Sequence, residues 1–286
     1  MNKKKISLTD IRIRDPFFLK QKDEYYLYGT TDRNTWDGPG VGFDYYKSKD
    51  LEWFEGPFPA FRPGKGFWAN QNFWAPEVWE YESAFYMIAS FKTEGRCRGV
   101  QILRSSSPEG PFEPITDGPV TPPEWECLDG TLVLNQGKIY LVFCHEWLQV
   151  GDGEICAMEL TNDLKGSKGI PRVLFRGSEA KWTIEHEDFG HRGYVTDGPF
   201  VFKDKDGTLH MLWSSFGQNG YAIGMSHGEG SLMEHWRHDK VPIVDRDGGH
   251  GMIFEGLQGE KLLAIHAPNE LLKERVRLQK LSFNCN

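Results

Sequence analysis

Thr196-Asp197-Gly198-Pro199-Phe200-Val201-Phe202 runs through Lys203-Asp204-Lys205-Asp206-Gly207 into Thr208-Leu209-His210-Met211-Leu212-Trp213. An acid opens a short apolar run, a charged turn closes it, and a second run alternates polar with apolar. That is the signature of a β-hairpin. The same phrase returns four more times, opening on Arg14-Asp15-Pro16-Phe17-Phe18, Ala75-Pro76-Glu77-Val78-Trp79, Leu128-Asp129-Gly130-Thr131-Leu132 and Gly249-His250-Gly251-Met252-Ile253. Each is followed by a turn (Asp23-Glu24, Glu82-Ser83, Gln136-Gly137, Gln258-Gly259) and a second strand, such as Tyr25-Tyr26-Leu27-Tyr28 or Ile139-Tyr140-Leu141-Val142-Phe143. The markers Asp15, Glu77, Asp129, Asp197 and His250 stand 62, 52, 68 and 53 residues apart. All-strand content at such a period predicts an all-β, five-bladed β-propeller, each blade a four-stranded antiparallel sheet. The markers are expected at one corner of each blade, so that a pocket on the axis collects four carboxylates and an imidazole.

The bounds agree. A chain of 286 residues gives each of five blades room for four strands of about 5–6 residues with turns. No linker or composition break interrupts the repeat, so residues 1–286 are read as a single propeller domain. The net charge of −8 argues against nucleic acid and anionic membrane surfaces as partners. No apolar run approaches the 18 or so residues needed to cross a bilayer. Five cysteines (97, 127, 144, 156 and 285) show no paired spacing, which reads as reduced thiols in a cytoplasmic protein. Met1-Asn2-Lys3-Lys4-Lys5 has a basic start, but Thr9, Asp10, Arg12 and Arg14 break any apolar core of a leader. Val276 to Phe283 is expected to finish the last blade and pair with N-terminal strands, shutting the ring.

Glycoside hydrolysis needs one ionised carboxylate to take a proton from water and one protonated carboxyl to give a proton to the leaving oxygen. A third carboxylate near the acid raises its pKa by repulsion. Asp15, Asp129 and Asp197, at matching positions of the repeat, could supply all three; alone, each is an ordinary turn residue opening a strand.

In these residues the chain resembles glycoside hydrolase family 43, over nearly its whole length. Arg14-Asp15-Pro16-Phe17 is similar to the family's first-blade segment, whose aspartate is the general base. Trp74-Ala75-Pro76-Glu77-Val78 is similar to its Trp-Ala-Pro-acid stretch, with Glu where Asp is common. Asp129 falls at the place of the aspartate that tunes the acid. Gly249-His250 is similar to a last-blade pair near an ion on the axis. The family's acid is a glutamate in Glu-Gly-Pro, where this chain has Asp197-Gly198-Pro199. The resemblance implies inversion at α-L-arabinofuranosides or β-D-xylosides, and a cytoplasmic setting would favour exo attack on short oligosaccharides. Aspartate sets its carboxyl about 1.5 Å further back, one C–C bond. The departure leaves three readings: a shifted backbone, another acid such as Glu185 or Glu187, or a propeller that binds sugar without cutting it.

Aromatic faces stack on the C–H faces of sugars and also fill gaps between blades. Trp36, Trp68, Phe73, Trp74, Trp147 and Trp182 lie in or beside loops. Phe73, Trp74 and Trp147, with Arg14 and Glu77, are the expected substrate contacts. His250 is the expected ligand of an axial cation such as Ca²⁺, held mostly by water; no organic cofactor is expected. His186-Glu187-Asp188-Phe189-Gly190-His191 has the wrong spacing for a zinc-protease helix. A phosphorylase on the same scaffold would use Arg14, Arg33, His191 and Arg192 for phosphate.

Overall fold

The computed structural model describes residues 5–281. Five antiparallel sheets are arranged as a five-bladed propeller, with the innermost strands Arg14–Gln21, Gln71–Tyr81, Cys127–Asn135, Asp197–Lys203 and Gly249–Glu255. Blades two, three and four have four strands, as expected. Blade one has five, because Lys5–Ser7 adds outside Trp53–Phe61, and blade five has three among the described residues. A two-stranded hairpin, His186–Asp188 with His191–Gly193, stands between blades three and four.

The ring closes by a different route from the one expected. Arg275–Lys280 pairs with Lys261–Ala267 inside its own blade, and the N-terminal strand stays in blade one. Among the described residues, the backbone contact between this last strand and the N-terminal segment is a single bridge, Arg12 to Arg275, beside Glu274, which is fully buried and receives Arg12 at 3.4 Å and Arg14 at 3.1 Å. Phe283 and Cys285 lie outside the described residues. Cys97, Cys127, Cys144 and Cys156 are free thiols. None of the described helices is long and apolar enough to cross a membrane.

The blades are cemented by large side chains alternating inward from the strands. Phe18 stacks on Phe254 at 4.4 Å between blades one and five, Phe17 meets Trp79 at 5.4 Å between one and two, and Trp182 meets Trp213 at 4.9 Å. Such aromatic contacts add about 0.5–1.5 kcal/mol each beyond their burial.

Every innermost strand carries a β-bulge in its first half, and Gln71–Tyr81 has a second break before it, between Gln71 and Trp74. The ladder skips between Arg14 and Phe17, Trp74 and Glu77, Leu128 and Thr131, Asp197 and Phe200, and Gly249 and Met252. The residue after each break is left-handed: Asp15 (φ 51°), Ala75 (47°), Asp129 (54°), Gly198 (48°) and His250 (51°). Proline or glycine follows in all five: Pro16, Pro76, Gly130, Pro199 and Gly251. A bulge leaves one residue outside the ladder, so proline's missing N–H is tolerated there. The register corrects the expected markers. Asp15, Asp129 and His250 are equivalent, but Ala75 and Gly198 hold the corner in blades two and four. Glu77 lies two residues past it, and Asp197 one residue before it.

Candidate active site

The bulges gather Asp15, Asp129, Asp197 and His250 on one wall of a cavity of about 740 Å³. Every blade adds to the rim: Thr35 and Trp36 from blade one, Trp74 and Arg98 from blade two, Glu146 and Trp147 from blade three, Tyr221 from blade four, and Asn269 and Leu271 from blade five. His186 and Phe189 of the inter-blade hairpin complete it.

Asp15 is buried and heavily bonded. Thr30 Oγ1 donates to its Oδ2 at 2.6 Å, and its own N–H donates to His266 Nδ1 at 3.2 Å. His250 Nδ1 lies 3.2 Å from its Oδ1. Burial alone would push this carboxyl up, but His250, the Arg14 guanidinium and the Thr30 hydroxyl outweigh it and hold the pKa at about 2. Accepting the Asp15 N–H leaves His266 with its proton on Nε2, which lies 3.3 Å from Asn269 Oδ1. Burial pushes the pKa of His266 down to about 3, in keeping with a neutral ring.

Asp129 and Asp197 go the other way. Asp129 Oδ2 accepts the Gly198 N–H at 3.0 Å and lies 3.7 Å from His250 Nδ1. Burial, with the charge of Asp15, lifts its pKa to about 7. Asp197 accepts from the Tyr221 hydroxyl at 3.0 Å, and burial with the charges of Asp129 and Glu146 lifts it to about 8. One cavity therefore holds an ionised carboxylate, Asp15, and a carboxyl poised to be protonated, Asp197. Opposed protonation states of this kind mark acid and base partners.

Two glycines shape this wall. A Cβ on Gly249 would lie 1.9 Å from the Tyr221 ring, and one on Gly198 2.7 Å from the His250 ring. Each ring occupies the space that a side chain would take.

Glu146, Arg98 and Tyr221 line the cavity and were not expected from sequence. Glu146 is buried, with its Oε2 2.5 Å from Arg98 Nη1, and burial raises its pKa. The Arg98 guanidinium lies 4.1 Å over the Trp74 ring. Tyr221 is the partner of Asp197. Glu146 adjoins Trp147, the sequence signal that could have found it.

The remaining candidates divide. Arg14, Trp36, Trp74 and Trp147 line the cavity, with Arg14 anchored by Glu274 and by Asn269 at 2.9 Å. Phe73 does not: it is 1 % exposed and packs 4.9 Å from Phe91 in the core, because side chains alternate along a strand and its neighbour Trp74 takes the cavity face. Glu77 is buried with its Oε2 accepting from Trp79 Nε1 at 2.8 Å, and burial raises its pKa to about 8. It is absent from the cavity lining because the bulge moved the corner to Ala75. Trp182 is buried against Trp213, and Trp68 lines a larger cleft of about 1190 Å³ that holds none of the repeat carboxylates. Glu185 pairs with Arg192 at 2.5 Å, and Glu185, Glu187, Arg33, His191 and Arg192 are not among the lining residues. Glu146 is the additional long acid that the cavity does contain.

Among the described residues no three His, Cys, Asp or Glu side chains converge as a metal site, and His250 Nδ1 is directed at Asp15 and Asp129. No step below runs through a metal.

The chain matches the family described as Glycosyl hydrolases family 43 over residues 7–286. Among solved structures it is similar to the endo-arabinase from Bacteroides thetaiotaomicron VPI-5482, at 39% identity over 98% of each chain and a TM-score of 0.91. A thermostable family-43 glycoside hydrolase shares 25% identity over 96% of this chain and 90% of its own, at a TM-score of 0.79. The α-L-arabinofuranosidase from Lactobacillus brevis, at 19% identity over 96% of this chain and 91% of its own and a TM-score of 0.77, shares the fold. Comparison with curated proteins gave no match. A propeller whose bulges bring three aspartates to one cavity, matched along nearly its full length, belongs to glycoside hydrolase family 43 and is a glycoside hydrolase.

Proposed function

We propose that this glycosidase inverts configuration at α-L-arabinofuranosyl or β-D-xylosyl residues, with arabinosyl chains the first choice. The observation that carries the reading is that one cavity holds both Asp15, beside His250 and the Thr30 hydroxyl, and Asp197, beside Asp129 and the Tyr221 hydroxyl, surroundings that drive the first pKa down and the second up. Asp15 takes a proton from water as the water oxygen bonds to the anomeric carbon. The glycosidic C–O bond breaks, and Asp197 gives its proton to the departing oxygen. The products are a sugar of inverted anomeric configuration and an alcohol, with Asp15 protonated and Asp197 ionised until solvent resets them. Asp129 repels a second negative charge at Asp197 and so favours its neutral form.

Residues from all five blades ring the cavity, which suits entry of a chain end and hence exo attack. The arabinase at 39% identity supports arabinosyl chains and favours a second reading, internal cleavage. Proton NMR of the first-formed anomer tests inversion; first release of the retained anomer removes the mechanism. Sizing products from linear arabinan separates monosaccharide release from internal cuts.

A further inference from the structure

At each blade junction the left-handed bulge residue points its backbone N–H across the gap, and a side chain from the preceding blade receives it. Ala75 N–H donates to Thr30 Oγ1 at 2.8 Å, Asp129 N–H to Ser90 Oγ at 2.9 Å and His250 N–H to Ser214 Oγ at 2.8 Å. Asp15 N–H goes to His266 Nδ1 at 3.2 Å. Thr30, Ser90, Ser214 and His266 all sit in second strands, opposite Arg14, Trp74, Asp197 and Gly249. Blade three has Cys144 in that place, opposite Leu128, and there the Gly198 N–H goes to the Asp129 carboxylate instead.

Thr30 is the member of this ring that also holds a carboxylate. A hydroxyl has one proton. Its oxygen already accepts the Ala75 N–H, so its proton is directed at Asp15 Oδ2, 2.6 Å away. Thr30 is fully buried, so water does not compete for either bond. The two oxygens of Asp15 are thereby divided. Oδ2 is spent on Thr30, and Oδ1 is left facing His250 at 3.2 Å.

We propose that Thr30 is a positioning residue for water activation: its hydroxyl, locked by the Ala75 N–H, fixes the plane of the Asp15 carboxylate so that Oδ1 is the oxygen that takes the proton. The proposal rests on Asp15 being the base. Misplacing a catalytic group by about 1 Å can cost about a hundredfold. Thr30→Val keeps the shape and removes the hydroxyl. Its kcat is expected to fall about 10- to 100-fold, equally on activated and unactivated leaving groups, with KM unchanged. Thr30→Ser is expected to stay within about threefold of the parent, because it keeps both bonds. If the unpaired Ala75 N–H prevents Thr30→Val from folding, Thr30→Cys serves. A weakly bonding thiol already occupies the equivalent place at Cys144.

Azide separates positioning from general damage. As an anion it attacks the anomeric carbon without a base and yields a glycosyl azide as the aryloxide leaves. It is expected to accelerate Asp15→Ala, whose lost carboxylate leaves room for it, and to accelerate the double variant Asp15→Ala/Thr30→Val to the same rate, because Thr30 acts only through Asp15. Wild-type kcat in Thr30→Val or Thr30→Cys, or a further loss caused by Thr30→Val in the azide reaction of Asp15→Ala, overturns the proposal. Failure of azide to restore Asp15→Ala strikes instead at the reading of Asp15 as base.

Discussion

Tyr221 donates its hydroxyl to Asp197 Oδ2 at 3.0 Å through space that exists because position 249 is glycine. The bond leaves Oδ1 as the oxygen that can carry a deliverable proton. It also favours the ionised carboxylate, partly offsetting the upward push from burial, Asp129 and Glu146. Tyr221→Phe should therefore raise the pKa of Asp197 further and move the basic limb of kcat/KM to higher pH, while kcat on poor leaving groups falls as aim is lost. A basic limb that stays in place or moves down would show that Tyr221 does not act on Asp197.

The sharpest test of the acid is the leaving group. An alkoxide needs a proton to depart, and a dinitrophenolate does not. Asp197→Asn should lose about 10²–10⁴-fold on oligosaccharide and much less on the dinitrophenyl glycoside. Asp15→Asn should lose heavily on both, since water needs its base in either case. Equal losses on both substrates for Asp197→Asn would leave that residue a binding role only.

Glu146 offers the rival acid that Glu185 and Glu187 cannot. If Asp197 is the donor, Glu146→Gln should keep the parent's ratio between the two substrates and shift the basic limb to lower pH, because a negative neighbour of Asp197 has gone. A leaving-group dependence appearing in Glu146→Gln rather than Asp197→Asn would transfer the acid to blade three.

Glu77 gives a stability test away from the chemistry. Its pKa is near 8 in the fold and lower in the unfolded chain, so the folded state binds more protons between those values. Its contribution is intact below the unfolded value of about 4.3 and is lost as pH rises toward 8. Glu77→Gln, whose amide oxygen can still accept from Trp79, should leave Tm nearly unchanged at pH 4. At pH 9 it should raise Tm, at about 2–4 °C per kcal/mol recovered. Equal Tm values at both pH values would mean Glu77 is ionised in the fold.

Trp36 and Phe73 should part company. Trp36 is 41% exposed at the rim, so Trp36→Ala should raise KM about 2- to 10-fold, the worth of roughly 0.5–1.5 kcal/mol of stacking, without changing Tm. Phe73→Ala should cost about 3–5 kcal/mol of stability through the cavity it leaves, with KM unchanged in the folded fraction. A KM effect at Phe73 equal to that at Trp36 would contradict the core placement.

The hairpins and the acids at Asp15, Asp129 and Asp197 are legible in the sequence because strand alternation and turn chemistry are local. The register in blade two is not. Pro76 sits where Pro16 and Pro199 sit, but the corner before it is Ala75, a methyl with no chemistry to mark it, so the next acid, Glu77, stands out instead. Glu146, Arg98 and Tyr221 are silent for another reason. They reach the cavity from the end of a second strand or from third strands, at distances set only when the ring closes. The hydroxyls of Thr30, Ser90 and Ser214 carry a periodic signal in three of the five second strands, hidden among ordinary strand residues.

Cys144 has a consequence for how this propeller can change over generations. Because its thiol leaves the Gly198 N–H to Asp129, substitution at 129 removes both a charge beside the acid and the anchor of the backbone that bears it. Serine at 144 would supply a second anchor in the place used by the neighbouring blades. Replacements at these two positions are therefore unequal in order: 144 then 129 is a passable path, and 129 then 144 crosses a form with an unmoored acid.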